Sequence, residues 1–162
     1  MKNIFYYQTE IGKIGIGEEN GVITDLSFGT IDSSGEGNIL ETDIIKKAAQ
    51  QIFEYMEGKR RAFDLPLSTK GTEFQKLVWE ALRTIPYGET RSYKDIAVQI
   101  GKGKACRAVG MANNRNPISI IIPCHRVIGS KGQLVGYGGG LDIKKRLLML
   151  EGNTVHDAKV ML

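Results

Sequence analysis

Two adjacent residues carry the sharpest chemistry in this 162-residue chain: Cys124 and His125, within Pro123-Cys124-His125-Arg126. A thiolate is a soft, strong nucleophile, and a neighbouring base or cation favours it over the thiol. The motif follows the apolar run Ser119-Ile120-Ile121-Ile122, which reads as a buried strand. Neighbours on an extended chain point to opposite faces, so His125 would reach Cys124 only through a turn or a bridging water. A buried, inert Cys is the competing reading. Zinc is a third, since Cys106, Cys124, His125 and His156 are possible ligands. Their spacing fits no compact CxxC or HxxxH pattern, so no metal is expected. Glu151 ends the last expected helix, where a carboxylate opposes the helix dipole. Either water solvates it there, or it orients a base such as His125.

Charge is distributed unevenly. The net charge is +4. Residues 1–70 hold eight Lys/Arg against eleven Asp/Glu, and residues 71–162 hold fourteen against seven. Within 91–131, the basic residues Arg91, Lys94, Lys102, Lys104, Arg107, Arg115, Arg126 and Lys131 face a single acid, Asp95. Such a field attracts polyanions, although a solvated basic face would look the same. No run approaches 18 apolar residues and the first residues lack a signal-peptide core, so neither a membrane span nor export is expected. Two Cys cannot form a disulfide framework, and a cytoplasmic chain with reduced thiols is the default.

These residues need elements to position them. Ile4–Tyr7, 14–16 and Val22–Phe28 are β-prone runs separated by Gly or polar turns. Residues 29–38 have loop composition. Apolar residues recur at a helical period over 42–56, and Gly58 is a plausible stop. Residues 61–67 read as a short strand or linker, and a domain boundary falls near 70. Thr72 and Gln75 form a capping-box pattern for a helix burying Phe74, Leu77, Val78, Ala81, Leu82 and Ile85. Helices at 92–100 and 104–114, joined by Gly101-Lys102-Gly103, match a helix-turn-helix, with Lys104 and Arg107 where such helices meet nucleic acid. A simple αα-corner would have the same pattern. The Gly-rich stretch 129–140, with a hairpin at Ser130-Lys131-Gly132, could serve as a wing. Asp142 is expected to cap a last helix with Ile143, Leu147, Leu148 and Leu150 inward. The tail after Gly152 is expected to be frayed or strapped onto the surface.

Together these pieces resemble the O6-alkylguanine-DNA alkyltransferase family of DNA-repair methyltransferases. The likeness rests on Pro123-Cys124-His125-Arg126-Val127, Asn116-Pro117-Ile118, and Gly136-Tyr137-Gly138-Gly139-Gly140-Leu141 running on to Leu150-Glu151-Gly152. Pro86-Tyr87-Gly88, Ser92-Tyr93 and Arg107-Ala108-Val109-Gly110 extend it upstream. It is close over 71–152, whereas residues 1–70 agree only in length and element order. The resemblance implies an α+β fold: an N-terminal ribonuclease-H-like α/β domain, residues 1–70, followed by a winged helix-turn-helix C-terminal domain, residues 71–162. It implies that Cys124 accepts the alkyl group, His125 activates it through a water, and Glu151 orients His125. Asn116 resembles the hinge Asn that ties strand to helix-turn-helix. Tyr93 resembles the donor to guanine N3, and Arg107 the finger that fills the place of a flipped nucleotide. Tyr137 and the Gly138 amide resemble the pocket wall and the O6 contact, and the Val127 carbonyl the reader of the exocyclic amine. Some relatives carry Ser where Gly138 stands, but the contact comes from backbone. The implied substrate is double-stranded DNA with O6-alkylguanine, and also O4-methylthymine, handled by a monomer without cofactor. A winged-helix regulator with a structural or redox-sensing Cys124 is the alternative, and a Cys-His hydrolase a third reading. Noncatalytic relatives carry Trp in place of the Cys, and this chain does not.

Overall fold

The computed structural model describes residues 1–31 and 37–162. Residues 32–36 of the expected loop lie outside them. Two compact units are present: Met1–Thr69 with Pro117–Ile121, and Lys70–Asn116 with Ile122–Leu162.

The first unit is a meander with one helix. β1 (Asn3–Thr9), β2 (Gly12–Glu19) and β3 (Val22–Phe28) pair antiparallel in sequence order. Turns at Asn20-Gly21, both at positive φ, suit the right-handed twist of such hairpins. β4 (Asn38–Ile39) adds to β1 in parallel, giving the order β3-β2-β1-β4. At two residues it has no periodicity to read. Ile4, Ile14, Ile16, Ile23 and Leu26 are buried on the strands, as are Ile45, Ala48, Ala49, Ile52 and Tyr55 of α1 (Asp43–Met56).

The run 119–122 is not a strand, contrary to expectation. Its start lies along β3, with Leu26 N donating to Pro117 O at 2.9 Å and Ser119 N to Leu26 O at 2.9 Å. Ile120 then takes a φ of 71°, and Ile121 N donates to Ser119 O at 2.8 Å. That is a γ-turn of the rarer, positive-φ hand, which ends any extended pairing.

The second unit is helical. α2 (Glu73–Leu82) opens with the capping box from Thr72 and Gln75, both halves formed. α3 (Tyr93–Gln99) has its own capping box, Ser92 with Asp95. α4 (Cys106–Asn114) begins two residues later than expected, which leaves Lys104 in the preceding turn. On α2, Leu77, expected to be buried, is exposed, whereas Trp79 is buried, its Nε1 donating to Ala112 O of α4 at 2.9 Å. α5 (Leu141–Leu150) is capped at Gly140, with no side-chain cap, so Asp142 lies inside the first turn. β5 (Arg91–Ser92) pairs in parallel with β6 (Val127–Ile128). The tail is strapped down: β7 (Val155–His156) and β8 (Lys159–Val160) form a hairpin whose Val155 and Val160 join Ile128, Leu134 and Leu148 in an apolar cluster. No helix among the described residues is long and apolar enough to cross a membrane.

Candidate active site

Local turns deliver Cys124. Pro123 has φ −81° and ψ 65°, the inverse γ-turn that a proline ring favours, and Cys124 N donates to Ile122 O at 2.8 Å. Cys124–Arg126 then forms one turn of 3-10 helix, with Arg126 N donating to Pro123 O at 3.0 Å. This turn resolves the alternation problem, because Cys124 and His125 no longer sit on an extended chain. Two Asn, Asn113 in the last turn of α4 and Asn116 just beyond that helix, clamp the segment. Asn113 Nδ2 donates to Cys124 O at 3.2 Å, and Asn116 Nδ2 to Ile122 O at 2.7 Å.

All three residues of the turn are buried. His125 Nε2 lies 2.7 Å from Glu151 Oε2. Arg126 donates to the same carboxylate from Nε at 2.8 Å and Nη2 at 3.0 Å, and from Nη1 to Ile85 O at 2.7 Å. Gly88 N supplies a further donor to Glu151 Oε1 at 3.2 Å. Gly88 sits at a φ of 83°, and a Cβ there would lie 3.1 Å from the Glu151 carbonyl oxygen, so glycine serves both conformation and approach. Burial alone would raise the Glu151 pKa, but hydrogen bonds and charge from His125 and Arg126 outweigh it and hold the carboxyl down at about 2. His125 is pushed down, chiefly by burial and also by the charges of Arg126 and Lys144. Glu151 is therefore ionised and His125 neutral at pH 7. A neutral His that faces a carboxylate through Nε2 carries its proton there, which leaves the buried Nδ1 as the basic nitrogen.

A second group gathers on the Val135 carbonyl. It accepts from Tyr93 Oη at 2.9 Å and from Lys144 Nζ at 2.9 Å. The Lys144 ammonium stands 6.0 Å from the centre of the Tyr93 ring. Lys144 is 0% exposed, and burial pulls its pKa down to about 8 against an opposing effect of Cys124 charge. Burial, then the same Cys124 charge, pushes Tyr93 up to about 12. A sulfur anion at Cys124 thus acts on both side chains, and Lys144 in return favours that anion.

Residues 73–153 match the family described as 6-O-methylguanine DNA methyltransferase, DNA binding domain, and residues 4–69 match its ribonuclease-like domain. The chain belongs to the 6-O-methylguanine DNA methyltransferase family. A Mycobacterium leprae methylated-DNA–protein-cysteine methyltransferase is 50% identical over 147 residues, which cover 90% of this chain and 89% of that one. A Methanosarcina barkeri protein of the same name is 64% identical over 110 residues, 68% of this chain and 70% of that one. The Mycobacterium tuberculosis protein OGT, solved in complex with DNA, superposes with a TM-score of 0.87 at 45% identity, over 92% of both chains. The methyltransferase fold expected from the resemblance, a sheet domain followed by a helical DNA-binding domain, is the fold observed.

Of the methyltransferase-like residues named from sequence, His125 and Glu151 bond directly, Cys124 shares the 3-10 turn of His125, and the Cys124 charge acts on Tyr93. Val127 is buried in β6 beside Arg91. Tyr137 and Gly138 lie in the Gly-rich loop before α5, where Gly140 N donates to Tyr137 O at 3.0 Å. Lys104, in the turn before α4, and Arg107, in the first turn of α4, are both exposed. Among the described residues no three His, Cys, Asp or Glu gather in a possible metal group. Arg126 corrects the basic cluster: at 6% exposure it is spent on Glu151 and adds nothing to the outward field. Sequence does not single out Lys144, because lysine is a solvent-facing residue type. Its place three and four residues before Leu147 and Leu148, on the face that α5 buries, is the available signal.

Proposed function

We propose that this chain reverses alkyl damage in duplex DNA by moving the alkyl group from O6 of guanine, and likewise from O4 of thymine, onto Cys124 Sγ. The observation that carries the reading is the buried His125–Glu151–Arg126 network, reached in the same 3-10 turn that carries the buried Cys124, within residues that match the family's DNA-binding domain. Relatives matching nine-tenths of the chain are named methylated-DNA–protein-cysteine methyltransferases, so a regulator with a structural Cys124 is not favoured.

The chemistry follows from the site. Nδ1 of His125 takes the Cys124 proton through a water, while Glu151 fixes the tautomer and steadies the imidazolium. Sγ then attacks the alkyl carbon. The C–O6 bond breaks, its electron pair enters the purine, and Tyr93 turns its one hydroxyl proton from the Val135 carbonyl to the purine and gives it up at N3. Tyr93 is held proton-bound partly by the Cys124 negative charge. That charge disappears as the thioether forms, so Tyr93 becomes a better acid as the carbon transfers. Lys144, close to the ring, steadies the resulting phenolate. The reacting carbon is inaccessible in a stacked duplex, so the nucleotide must leave the helix, with Arg107 filling its place and Lys104 on the backbone. Tyr137, the Gly138 amide and the Val127 carbonyl line the base pocket, and Asn116 keeps the Cys124 turn in register. A thioether has no ready leaving group, so each molecule reacts once, as a monomer, in the cytoplasm, without cofactor.

The test is incubation with duplex DNA carrying O6-methylguanine, followed by intact mass and peptide mapping. One methyl on Cys124, stoichiometric and absent from Cys124→Ser, is expected. Repeated turnover, or methyl on Cys106, refutes the mechanism.

A further inference from the structure

We propose that the C-terminal hairpin, within residues 154–162, is a positioning element of the transfer site: it holds the wing so that the Val135 carbonyl fixes Lys144 and the resting place from which Tyr93 turns its hydroxyl to the base. The proposal rests on the reading of Tyr93 as proton donor. It concerns residues beyond the segment 73–153 that matches the family's DNA-binding domain.

The path can be followed bond by bond. β7 and β8 are joined through Asp157 and Ala158, both left-handed at φ 46° and 59°, as a tight two-residue hairpin turn requires. Val155 and Val160 anchor the hairpin in the apolar cluster with Ile128, Leu134 and Leu148. The outer edge of β8 then takes the wing as a third strand. Val160 N donates to Gly132 O at 2.7 Å, Leu134 N donates to Ala158 O at 2.8 Å, and Gln133 bridges Lys159 antiparallel. Val135 follows at once. Its own side chain is 45% exposed and gives the backbone little packing. On its other side comes Gly136-Tyr137-Gly138-Gly139-Gly140, a stretch with little conformational preference of its own. The hairpin pairing through Leu134 is therefore the ordered support next to the shared acceptor of Tyr93 and Lys144. Met161 N also closes the tail onto Thr154 O at 2.8 Å, so the hairpin is fastened at its open end.

Gly132→Ala loosens this joint in the full-length chain. A Cβ there would sit 2.4 Å from Val160 O, and its φ of 90° already disfavours any other residue. Val160→Ala is the milder companion, since it only thins the anchor. The assay is the single-turnover rate with free O6-benzylguanine, which needs the pocket but no flipped nucleotide. Each substitution is made alone and together with Tyr93→Phe, and folding is followed by thermal melting. We expect a rate loss of about tenfold or more for each in the parent chain, because small misplacements of a reacting group are costly. In the Tyr93→Phe background the further loss should be less than about twofold, the non-additivity of residues acting as one unit. Hydrogen exchange at the Val135 and Gly136 amides should also speed up. Equal losses in both backgrounds, or parental rates and exchange in both variants, overturn the proposal. A parent chain inert to both O6-benzylguanine and methylated duplex overturns the alkyl-transfer reading itself; faster amide exchange in the variants would then show the strap's hold on the loop apart from that failure.

Discussion

Replacing Lys144 with Met should stabilise this protein while disabling it. Met matches the length and bulk of the lysine stem, so the packing of α5 is nearly conserved. What changes is the charge. Burial lowers the Lys144 pKa from 10.5 to about 8, so holding the ammonium in the folded chain at pH 7 costs about 3 kcal/mol relative to the unfolded chain. The lost hydrogen bond to Val135 O offsets about 1 kcal/mol of that gain. Lys144→Met should therefore be more stable by about 2 kcal/mol at pH 7, by the same accounting. The difference must depend on pH. Between about pH 8 and 10.5 the unfolded lysine keeps its proton and the folded one has shed it, so parent stability rises with pH in that window. The advantage of the Met variant should shrink there and then reverse by the value of the lost hydrogen bond. Urea unfolding of both proteins at pH 7, 8, 9 and 10 measures this directly. The transfer rate at pH 7 should fall about tenfold or more, because a cation beside a thiol lowers its pKa by a unit or more. A Met variant less stable than the parent at pH 7, or a stability gap that stays constant from pH 8 to 10, would refute the reasoning.

Glu151→Gln should remove an acid-sensitive component of stability. The parent carboxyl titrates at about 2 when folded against 4.5 otherwise, so about 3 kcal/mol is present above pH 4.5 and disappears as pH falls toward 2. Urea unfolding at pH 6 and pH 3 should show a decline in the parent that is smaller in the variant. Arg126→Met leaves Glu151 without its two guanidinium bonds, and the cost expected in equilibrium unfolding is about 3–5 kcal/mol, unlike any exposed Arg in 91–131. Arg107→Ala should slow repair of methylated duplex by about tenfold or more, yet leave the reaction with free O6-benzylguanine within about twofold, since only the duplex requires extrusion of a nucleotide. Equal effects on both substrates would remove Arg107 from that task.

The parts of the fold that sequence reveals are those set by neighbours in the chain. Thr72 with Gln75 and Ser92 with Asp95 mark two helix starts because a capping box is a three-residue chemical unit. The meander over residues 3–28 is equally local, alternating β-prone runs with turns. Three consecutive isoleucines favour a strand through Ile120, whereas β3 pairing and a γ-turn dictate its φ. Arg126 counts toward the basic field, and Lys144 goes unremarked, for a related reason. Their partners are a carboxylate 25 residues away and a carbonyl nine residues away, which no local pattern names. The identities of Cys124 and His125 are legible; the 3-10 turn that carries both is not.

The hydrogen bond from Trp79 to Ala112 has a practical consequence. Trp79 is the sole tryptophan of the chain, and its buried indole rests on the backbone of the helix that carries Arg107. Intrinsic emission excited at the indole therefore comes from one known place, without a dye or a label. A rigid α4 that engages DNA through its exposed side would leave the emission colour unchanged. A helix that slides against α2 as it inserts a side chain between bases would shift that colour on the timescale of the movement, giving a stopped-flow record of the insertion step separate from the chemistry at sulfur.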